Sequence, residues 1–500
     1  MALEEYYQLP QQWQWQLPAT TLLAVLPFLI SIFLLVGPAR PRRTSTRYHL
    51  PPCPSGLPIL GNLHQMGALP HRSLRELARR HGPVMMLRLG TVPTLVVSSA
   101  DAARDVLKTN DADCCSRPDT PGPRRLSYQH KDVAFSPYSE FWRERRKLMV
   151  VEFLSKRRIQ ATWYAREAEV GKLVSGLALA SVERKPVRVE DHVFGYMDGI
   201  VGTVAFGNIV GTEHLAPYRE HFHHVIDEAM VVRSSFSAED YFPNALGRLV
   251  DRLNGVASLC ERVLKEYDNF FEMMIQQHIN KLDNGCASGL IDVLIGLMKE
   301  EHHQGSFRFD RDVVKALLTN TFIGAVNMAT KRGYSGDDVG KLKYLKMVVT
   351  TLRLHLALPL LVPRETARHI TVPGYDVPAK TRILVNAWAI GRDPANWDNL
   401  EEFIPEKFKG EDANFNRAQL EYLPFGAWRR MCPGIDMGVA TTEFTLANLL
   451  YCFDWELQEG LKSEDMCMEE AGGLTIHKKT PLLLVPTRYH TSGSALAGHD

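Results

Sequence analysis

The hydrophobic pattern near the N-terminus predicts one membrane-spanning helix. Residues 17–36 carry no charged side chain, and such a run is about long enough to cross a bilayer as a helix. The flanking charges are Glu4, Glu5, Arg40, Arg42, Arg43 and Arg47. Because basic flanks stay in the cytosol, we expect residues 1–16 in the lumen and the remaining chain in the cytosol. A cleaved signal peptide, the alternative, would have a basic leading end and a shorter apolar run.

A basic and Pro-rich linker at residues 37–62 precedes residues 63–500, where shorter periodic segments predict individual helices and strands. Residues 73–82 have the spacing of an amphipathic helix that ends at Gly82. Residues 83–99 indicate two strands around a turn at Gly90, and residues 100–110 another helix. Further helical patterns cover most of residues 160–310 and residues 435–451.

The composition excludes several classes of function. The 500 residues are 45% hydrophobic, enough for a large core, and a net charge of +1 gives no sign of a nucleic-acid partner. The eight cysteines show no C-x-x-C pair, which argues against a disulfide framework or a zinc site and favours a reducing compartment. His224 and Glu228 have no matching ligand cluster, so we expect them on an exposed helix. Neither a dinucleotide-binding motif nor a P-loop occurs.

The strongest chemical signal is the run PFGAWRRMCPG at residues 424–434. It places Cys432 in a short loop directly before a helical pattern. The N-terminus of that helix and the charges of Arg429 and Arg430 would stabilise a thiolate, and a thiolate suits a haem iron. The alternative is a buried structural cysteine, which is the commoner role of a thiol.

This loop resembles the haem-binding signature of the cytochrome P-450 superfamily, Phe-Gly-x-Gly-x-Arg-x-Cys-x-Gly. The matching residues are Phe425, Gly426, Arg430, Cys432 and Gly434. Trp428 stands at the second glycine, where a tight backbone turn favours Gly, so we expect strain there. The resemblance implies that residues 63–500 form one large domain with a mainly α fold and a small β-rich lobe. It also implies haem b, whose iron is axially ligated by Cys432. It is strongest to plant members that act on aromatic aldoximes.

The resemblance also implies roles for residues outside the loop. Trp142 and Arg146 lie four residues apart on one helix face, and together with Arg364 they would contact the haem propionates, since Arg suits carboxylates. A solvated basic helix face is the alternative for the first two. The positions that would line the substrate pocket are Gly324, Ala325, Ala357 and Leu358.

The proton relay of the family is altered in this chain. Relatives carry an acid and then an alcohol on the central helix, where this sequence has Asn327 and Met328. An amide does not ionise and a thioether has no proton to transfer, so a plain core helix fits these residues better. We also expect the helix to be shortened around residues 331–340, by a true deletion or by a faulty gene model.

A charge network that braces the haem loop in relatives is altered as well. Its Glu and its second Arg are replaced by Thr350 and Lys407, and Arg353 remains. Stranding a buried charge costs on the order of 3–5 kcal/mol. Glu406 is a candidate substitute partner for Arg353.

Three functions are compatible with these features. The first is a monooxygenase anchored in the endoplasmic reticulum membrane, which takes electrons from NADPH-cytochrome P-450 reductase, with cytochrome b5 as a further partner, and oxidises a small apolar molecule such as an aromatic aldoxime. The second is an oxime dehydratase, which consumes no oxygen. The third is a catalytically impaired paralogue that acts through interactions at the membrane.

Overall fold

Helices dominate the described part of the chain. The computed structural model describes residues 48–207, 225, 228–229, 232, 237–282, 289–299, 309–326, 343–408, 420–458, 461–462, 464, 466–472 and 475–489. Its α-helices are α1 Pro70–His81, α2 Ala100–Arg104, α3 Asp111–Cys114, α4 Pro121–Leu126, α5 Glu140–Leu148, α6 Lys156–Ala161, α7 Trp163–Glu183, α8 Val189–Phe206, α9 Ala245–Leu253, α10 Val256–Leu282, α11 Leu290–Lys299, α12 Arg311–Val326, α13 Lys343–Thr350, α14 Ala387–Ile390 and α15 Ile435–Cys452.

Short strands and tighter or wider helical turns connect these helices. The strands are β1 Val84–Leu89, β2 Val92–Val97, β3 Val187–Arg188, β4 Arg364–Glu365, β5 Ile370–Val372, β6 Tyr375–Val377, β7 Arg382–Val385, β8 Phe453–Leu457, β9 Glu470–Gly472, β10 Ile476–Lys478 and β11 Leu483–Arg488. The 3-10 turns are Leu63–Gln65, Thr351–Arg353, Pro405–Phe408 and Trp428–Arg430, and the π-helical turns are Asp105–Thr109 and Met149–Phe153.

Helix α1 forms where the spacing of apolar residues predicts it. Leu74 and Leu77 are buried on one face, and Pro70 occupies the first turn, where its missing N–H has no intrahelical partner to lose. Gly82 ends the helix with a φ of 101°, a value that favours glycine. The predicted helix is therefore confirmed.

The main sheet has four strands in the order β1-β2-β7-β4. The hairpin of β1 and β2 is antiparallel with Val84 opposite Val97, and β2 pairs in parallel with β7. Gly90 turns the hairpin at a φ of 63°, and a Cβ there would lie 2.5 Å from the carbonyl oxygen of Tyr241. The strand prediction for residues 83–99 is confirmed, and Gly is required at the turn.

Two main apolar cores hold these elements together. The larger one lies among α7, α8, α10, α11 and α12, and includes the fully buried Ile200, Phe271 and Leu317. The other packs α2 and α14 against the main sheet through residues such as Leu95 and Ile383. Helix α15 joins the larger core through Phe444, which fixes the loop that precedes it.

The mainly helical architecture with small sheets agrees with the predicted fold class. The predicted anchor, residues 17–36, lies outside the described residues, and no helix of the described part is both long and apolar enough to span a bilayer. The expectation that Glu228 lies on an exposed helix face is wrong. Its side chain is mostly buried, and its carboxylate pairs with Arg262 at 2.9 Å. His224 lies outside the described residues.

Candidate functional site

The loop that carries Cys432 is held by its own backbone and by the helix that follows. The backbone N–H of Cys432 donates to the carbonyl oxygen of Phe425 at 2.9 Å. Helix α15 starts at Ile435, with Gly434 as its N-cap. Cys432 and Phe425 are both half-buried. The positive end of a helix dipole therefore lies within three residues of the sulfur, where it favours a thiolate.

Trp428 is in the left-handed backbone region. Its φ is 52°, and Gly426 nearby has a φ of 67°. A left-handed conformation costs a residue with a Cβ roughly 1–2 kcal/mol, so the expected strain at the second glycine of the signature is present. The Trp428 ring packs against the core of the main sheet, and Lys108 Nζ lies 5.6 Å from its centroid. These contacts oppose part of the backbone cost.

Arg430 is buried and bonds to several carbonyl oxygens. Its Nε donates to Cys115 at 2.7 Å and its Nη2 to Ser136 at 2.6 Å. Its guanidinium carbon lies 4.2 Å from the ring centroid of Trp142. Burial lowers the pKa of Arg430 to about 9, with repulsion from Arg364 as a further cause. The guanidinium is therefore fixed in position by groups that do not neutralise it.

Trp142 and Arg146 of α5 lie beside the same loop. Ser139 is the N-cap of helix α5, and its side chain accepts from the backbone N–H of Trp142. Trp142 is buried, and its Nε1 donates to the carbonyl oxygen of Val133 at 2.9 Å. Arg146 donates to the carbonyl oxygen of Met431, directly before Cys432. These contacts contradict a purely solvated helix face.

Arg364 connects β4 to the loop. Its Nη1 donates to Asp111 at 2.9 Å and its Nη2 to the carbonyl oxygen of Ala427 at 3.0 Å. Asp111 is 1% exposed, and it also accepts from Arg429 at 2.8 Å. Sequence reasoning missed Asp111, because nothing in a four-residue helix marks one acid as the partner of two distant arginines.

Arg117 is a second residue that sequence reasoning missed. It is buried and donates to the carbonyl oxygens of Ala134, Val362 and Pro363. Burial holds the pKa of Arg117 well below its usual value, and repulsion from Arg430 and Arg364 adds to this effect. The Arg-Pro step at residues 117–118, in an otherwise polar segment, was its one available signal.

The arginine cluster, Arg117, Arg146, Arg364 and Arg430, fits a ligand that carries carboxylates at its edge. Arg117 and Arg430 are buried, and their hydrogen bonds to described residues go to backbone carbonyl oxygens, which carry no full charge. Buried positive charge needs a compensating negative charge, and the two propionates of haem would supply it. The residues present therefore fit the group.

Arg353 is better satisfied than the sequence predicted. It is buried, and it donates to the carbonyl oxygens of Gly391 at 2.7 Å, Leu400 at 2.8 Å and Glu402 at 3.3 Å. The hydrogen bonds of the guanidinium are therefore satisfied, but carbonyl oxygens carry no full charge, so the cost of losing the Glu stays a prediction. Burial still lowers the pKa of Arg353, with repulsion from Arg392 as the next cause.

The other members of the expected charge network are only partly described. The side chains of Thr350 and Lys407 lie outside the described residues. Glu406 does not appear among the bonded partners of Arg353; its carboxylate bonds to Tyr344 and raises the pKa of that phenol. The expectation that Glu406 serves Arg353 therefore gains no support.

The expected pocket residues come from two segments. A Cβ built on Gly324 of α12 would meet no atom of the described residues within 4 Å. The carbonyl oxygen of Ala357 accepts from Ile476 at 2.9 Å, and that of Leu358 accepts from Leu361 at 3.1 Å. The side chain of Ala325 lies outside the described residues, as do residues 327–342, which include Asn327 and Met328.

Comparison with known proteins matches nearly the whole domain. The family model "Cytochrome P-450" matches residues 51–331 and 325–485. The chain is similar to 4-hydroxyphenylacetaldehyde oxime monooxygenase of Sorghum bicolor, with 51% identity over 97% of each chain. It is also similar to 2-methylbutanal oxime monooxygenase of Manihot esculenta, with 38% identity over 96% of this chain and 98% of the relative.

Proposed function

Because the chain belongs to the cytochrome P-450 family and is a monooxygenase of that type, we propose that it acts on an aldoxime, an aromatic one in particular. The observation that carries this proposal is the 51% identity to the sorghum enzyme, which extends over 97% of both chains. The cassava relative is named for a different oxime. The oxime group, which the two names share, is therefore the feature that we expect this chain to recognise.

In this proposal Cys432 binds the iron of haem b as a thiolate. Two features support that role: the start of α15 within three residues, and the backbone bonds that tie Cys432 to Phe425 and Met431 to Arg146. A thiolate is stabilised by a helix N-terminus and by nearby positive charge. Bound haem would supply the activation of dioxygen.

The propionates would bind to the arginine cluster. Arg364 and Arg430 are buried, and Arg146 reaches the loop from α5. Arg364 forms two hydrogen bonds to described residues, and these use two of the five N–H donors of a guanidinium. Donors therefore remain there for a carboxylate. Trp142 fixes Arg430 by lying beneath its guanidinium. Arg117 adds a positive charge that the sequence did not indicate.

The substrate would lie beside Gly324 of α12, where a Cβ would meet no atom of the described residues within 4 Å. Ala325, Ala357 and Leu358 are the other proposed lining positions. Asn327 and Met328 replace the ionisable acid and the alcohol of the family, so we propose that ordered water delivers protons here, since neither side chain can.

The cellular setting is part of the same proposal. The charge-free run at residues 17–36 and the arginines that follow it support a single anchor in the endoplasmic reticulum membrane, with the domain in the cytosol. The sequence carries no nucleotide-binding motif. Electrons would therefore come from NADPH-cytochrome P-450 reductase, with cytochrome b5 as a further partner.

One experiment tests the proposal. The full chain is expressed in microsomes with the reductase, reduced and exposed to carbon monoxide, and the red-shifted absorption band of a thiolate-ligated haem is recorded. We expect the band in the wild type and its loss in C432S. The microsomes are then given 4-hydroxyphenylacetaldehyde oxime and NADPH, and product should form only with oxygen. A wild type without the band would overturn the proposal.

A dehydratase is the second candidate, and the replacement of the relay acid by Asn327 favours it. Loss of water from an oxime yields a nitrile and consumes no oxygen. The same microsomes incubated with the oxime under nitrogen distinguish the two functions. Nitrile formed at equal rates with and without oxygen would support dehydration and would contradict the monooxygenase proposal.

A further inference from the structure

A single carboxylate, that of Asp111, holds two arginines of the Cys432 region, Arg364 and Arg429. It lies at the start of α3 and is 1% exposed. Its Oδ1 accepts from Arg364 at 2.9 Å, and its Oδ2 accepts from Arg429 at 2.8 Å. One buried acid thus connects β4 to the 3-10 turn Trp428–Arg430, although these arginines lie 253 and 318 residues away along the chain.

The segment after Asp111 continues the same connection. The carbonyl oxygen of Cys115 accepts from Arg430 Nε at 2.7 Å, and Ser116 forms an isolated bridge with Glu365 of β4. Arg364 also donates to Ala427 of the loop. Residues 111–116 therefore form a platform to which both β4 and the Cys432 loop are bonded.

The two arginines on Asp111 differ in exposure. The Arg364 side chain is 5% exposed, whereas that of Arg429 is 46% exposed. Arg364 depends on Asp111 because water cannot replace a partner for a buried charge. Arg429 depends on it less for its own solvation, so the Arg429 bond acts mainly to hold the loop to α3.

We propose that Asp111 is a positioning residue for the haem site, which orients Arg364 towards a propionate and holds the Cys432 loop through Arg429. The inference rests on the proposed haem function of that loop. Asp111 itself touches neither iron nor substrate in this proposal. It fixes the two groups that do the binding, so its loss should loosen the haem before it affects any chemical step.

Asp113 offers a matched control on the same helix. It carries the same charge two residues further on, and it pairs with Arg368, whose side chain is 75% exposed, at 2.6 Å. Arg368 has no part in the proposed site. D113N therefore removes one negative charge from α3 without touching Arg364 or Arg429.

The test measures how fast haem leaves the purified, haem-loaded full chain, by transfer to excess apomyoglobin. We expect D111N to lose haem about tenfold faster than wild type, because hydrogen bonds to a charged group are stronger than those between neutral groups. R429Q should lose it several-fold faster, and D113N within twofold of wild type. In a D111N background, R429Q should have no additional effect, because the two residues act through one bond. The carbon monoxide band should also lose thiolate character in D111N.

The outcomes separate this inference from the proposed function. A wild-type chain that takes up no haem overturns both. A wild type that holds haem, with D111N releasing it at the wild-type rate, overturns only the role of Asp111. Equal effects of D111N and D113N would show a general charge effect and would also overturn it. If D111N does not fold, the R429Q variant, at a half-exposed position, tests the proposal instead. Haem loss from R429Q at the wild-type rate would contradict it.

Discussion

Arg353 lies over the indole ring of Trp397, with its guanidinium carbon 4.8 Å from the ring centroid. An aromatic face attracts a cation, by about 2 kcal/mol or more where water is excluded. Three backbone carbonyl oxygens bond to the same guanidinium. Arg353 is thus a buried cation stabilised by carbonyl oxygens and by an aromatic ring.

The Trp397 ring should therefore stabilise the folded chain through its π face and not only through the volume that it fills. We expect W397L to lower the free energy of unfolding by about 1–2 kcal/mol more than W397F, because Phe keeps an aromatic face and Leu does not. Urea unfolding of the purified chains measures this difference. Equal destabilisation by the two variants would show that the ring acts only by packing.

A Glu at position 350 should stabilise the chain by less than the roughly 3–5 kcal/mol that an unpaired buried charge costs. Thr350 ends α13, and Arg353 ends the 3-10 turn directly after it, so a Glu at 350 would lie one turn from Arg353. Because carbonyl oxygens already bond to Arg353, we expect T350E to raise the free energy of unfolding by about 1–2 kcal/mol over T350Q. T350Q has the same size without the charge. A T350E chain no more stable than T350Q in urea would contradict an ion pair.

The local elements of this fold were predictable because short stretches of sequence determine them. The apolar spacing of Leu74 and Leu77 and the stop at Gly82 require no distant contact, and they predicted α1. Gly90 marked the β1–β2 hairpin in the same way. The motif around Cys432 predicted the family, which the comparisons confirmed; the ligand role of Cys432 itself stays a prediction.

The partners of the buried arginines were not predictable from local pattern. Asp111 meets Arg364 and Arg429 across more than half of the chain. Arg353 is satisfied by backbone carbonyl oxygens, and every residue has one, so no residue type signals such a site. The propionate contacts of Trp142, Arg146 and Arg364, like the relay positions Asn327 and Met328, stay predictions.

A pH-dependent bond connects α1 to β9. Glu470 accepts from Arg72 at 2.7 Å and from the buried His71 at 3.2 Å. Burial by itself would raise the pKa of Glu470, but these two partners outweigh it and lower the pKa from 4.5 to about 2. A carboxyl whose pKa falls on folding stabilises the protein above the pKa of the unfolded chain, and this contribution is lost as pH falls towards the folded value.

The stability difference between wild type and E470Q should therefore depend on pH. We expect wild type to be more stable by about 1–3 kcal/mol at pH 7, with the gap narrowing as pH falls from about 4.5 to about 2. Urea midpoints between pH 7 and pH 3 measure it, with E456Q at an exposed position of β8 as the charge-matched control. A gap of constant size across this range would show that Glu470 contributes no ionised bond.

Trp428 gives the sharpest test of how this chain departs from the family signature. Its φ of 52° is costly for any residue with a Cβ, while its ring packs on the main sheet core and lies near Lys108.

W428G and W428A both remove the ring, but only Gly removes the backbone cost. We therefore expect W428G to be more stable than W428A by about 1 kcal/mol in urea, and to retain more haem per chain after purification. Because the ring is absent from both variants, their difference isolates the backbone. If W428A equals or exceeds W428G in both measurements, the left-handed turn is not what makes position 428 favour glycine.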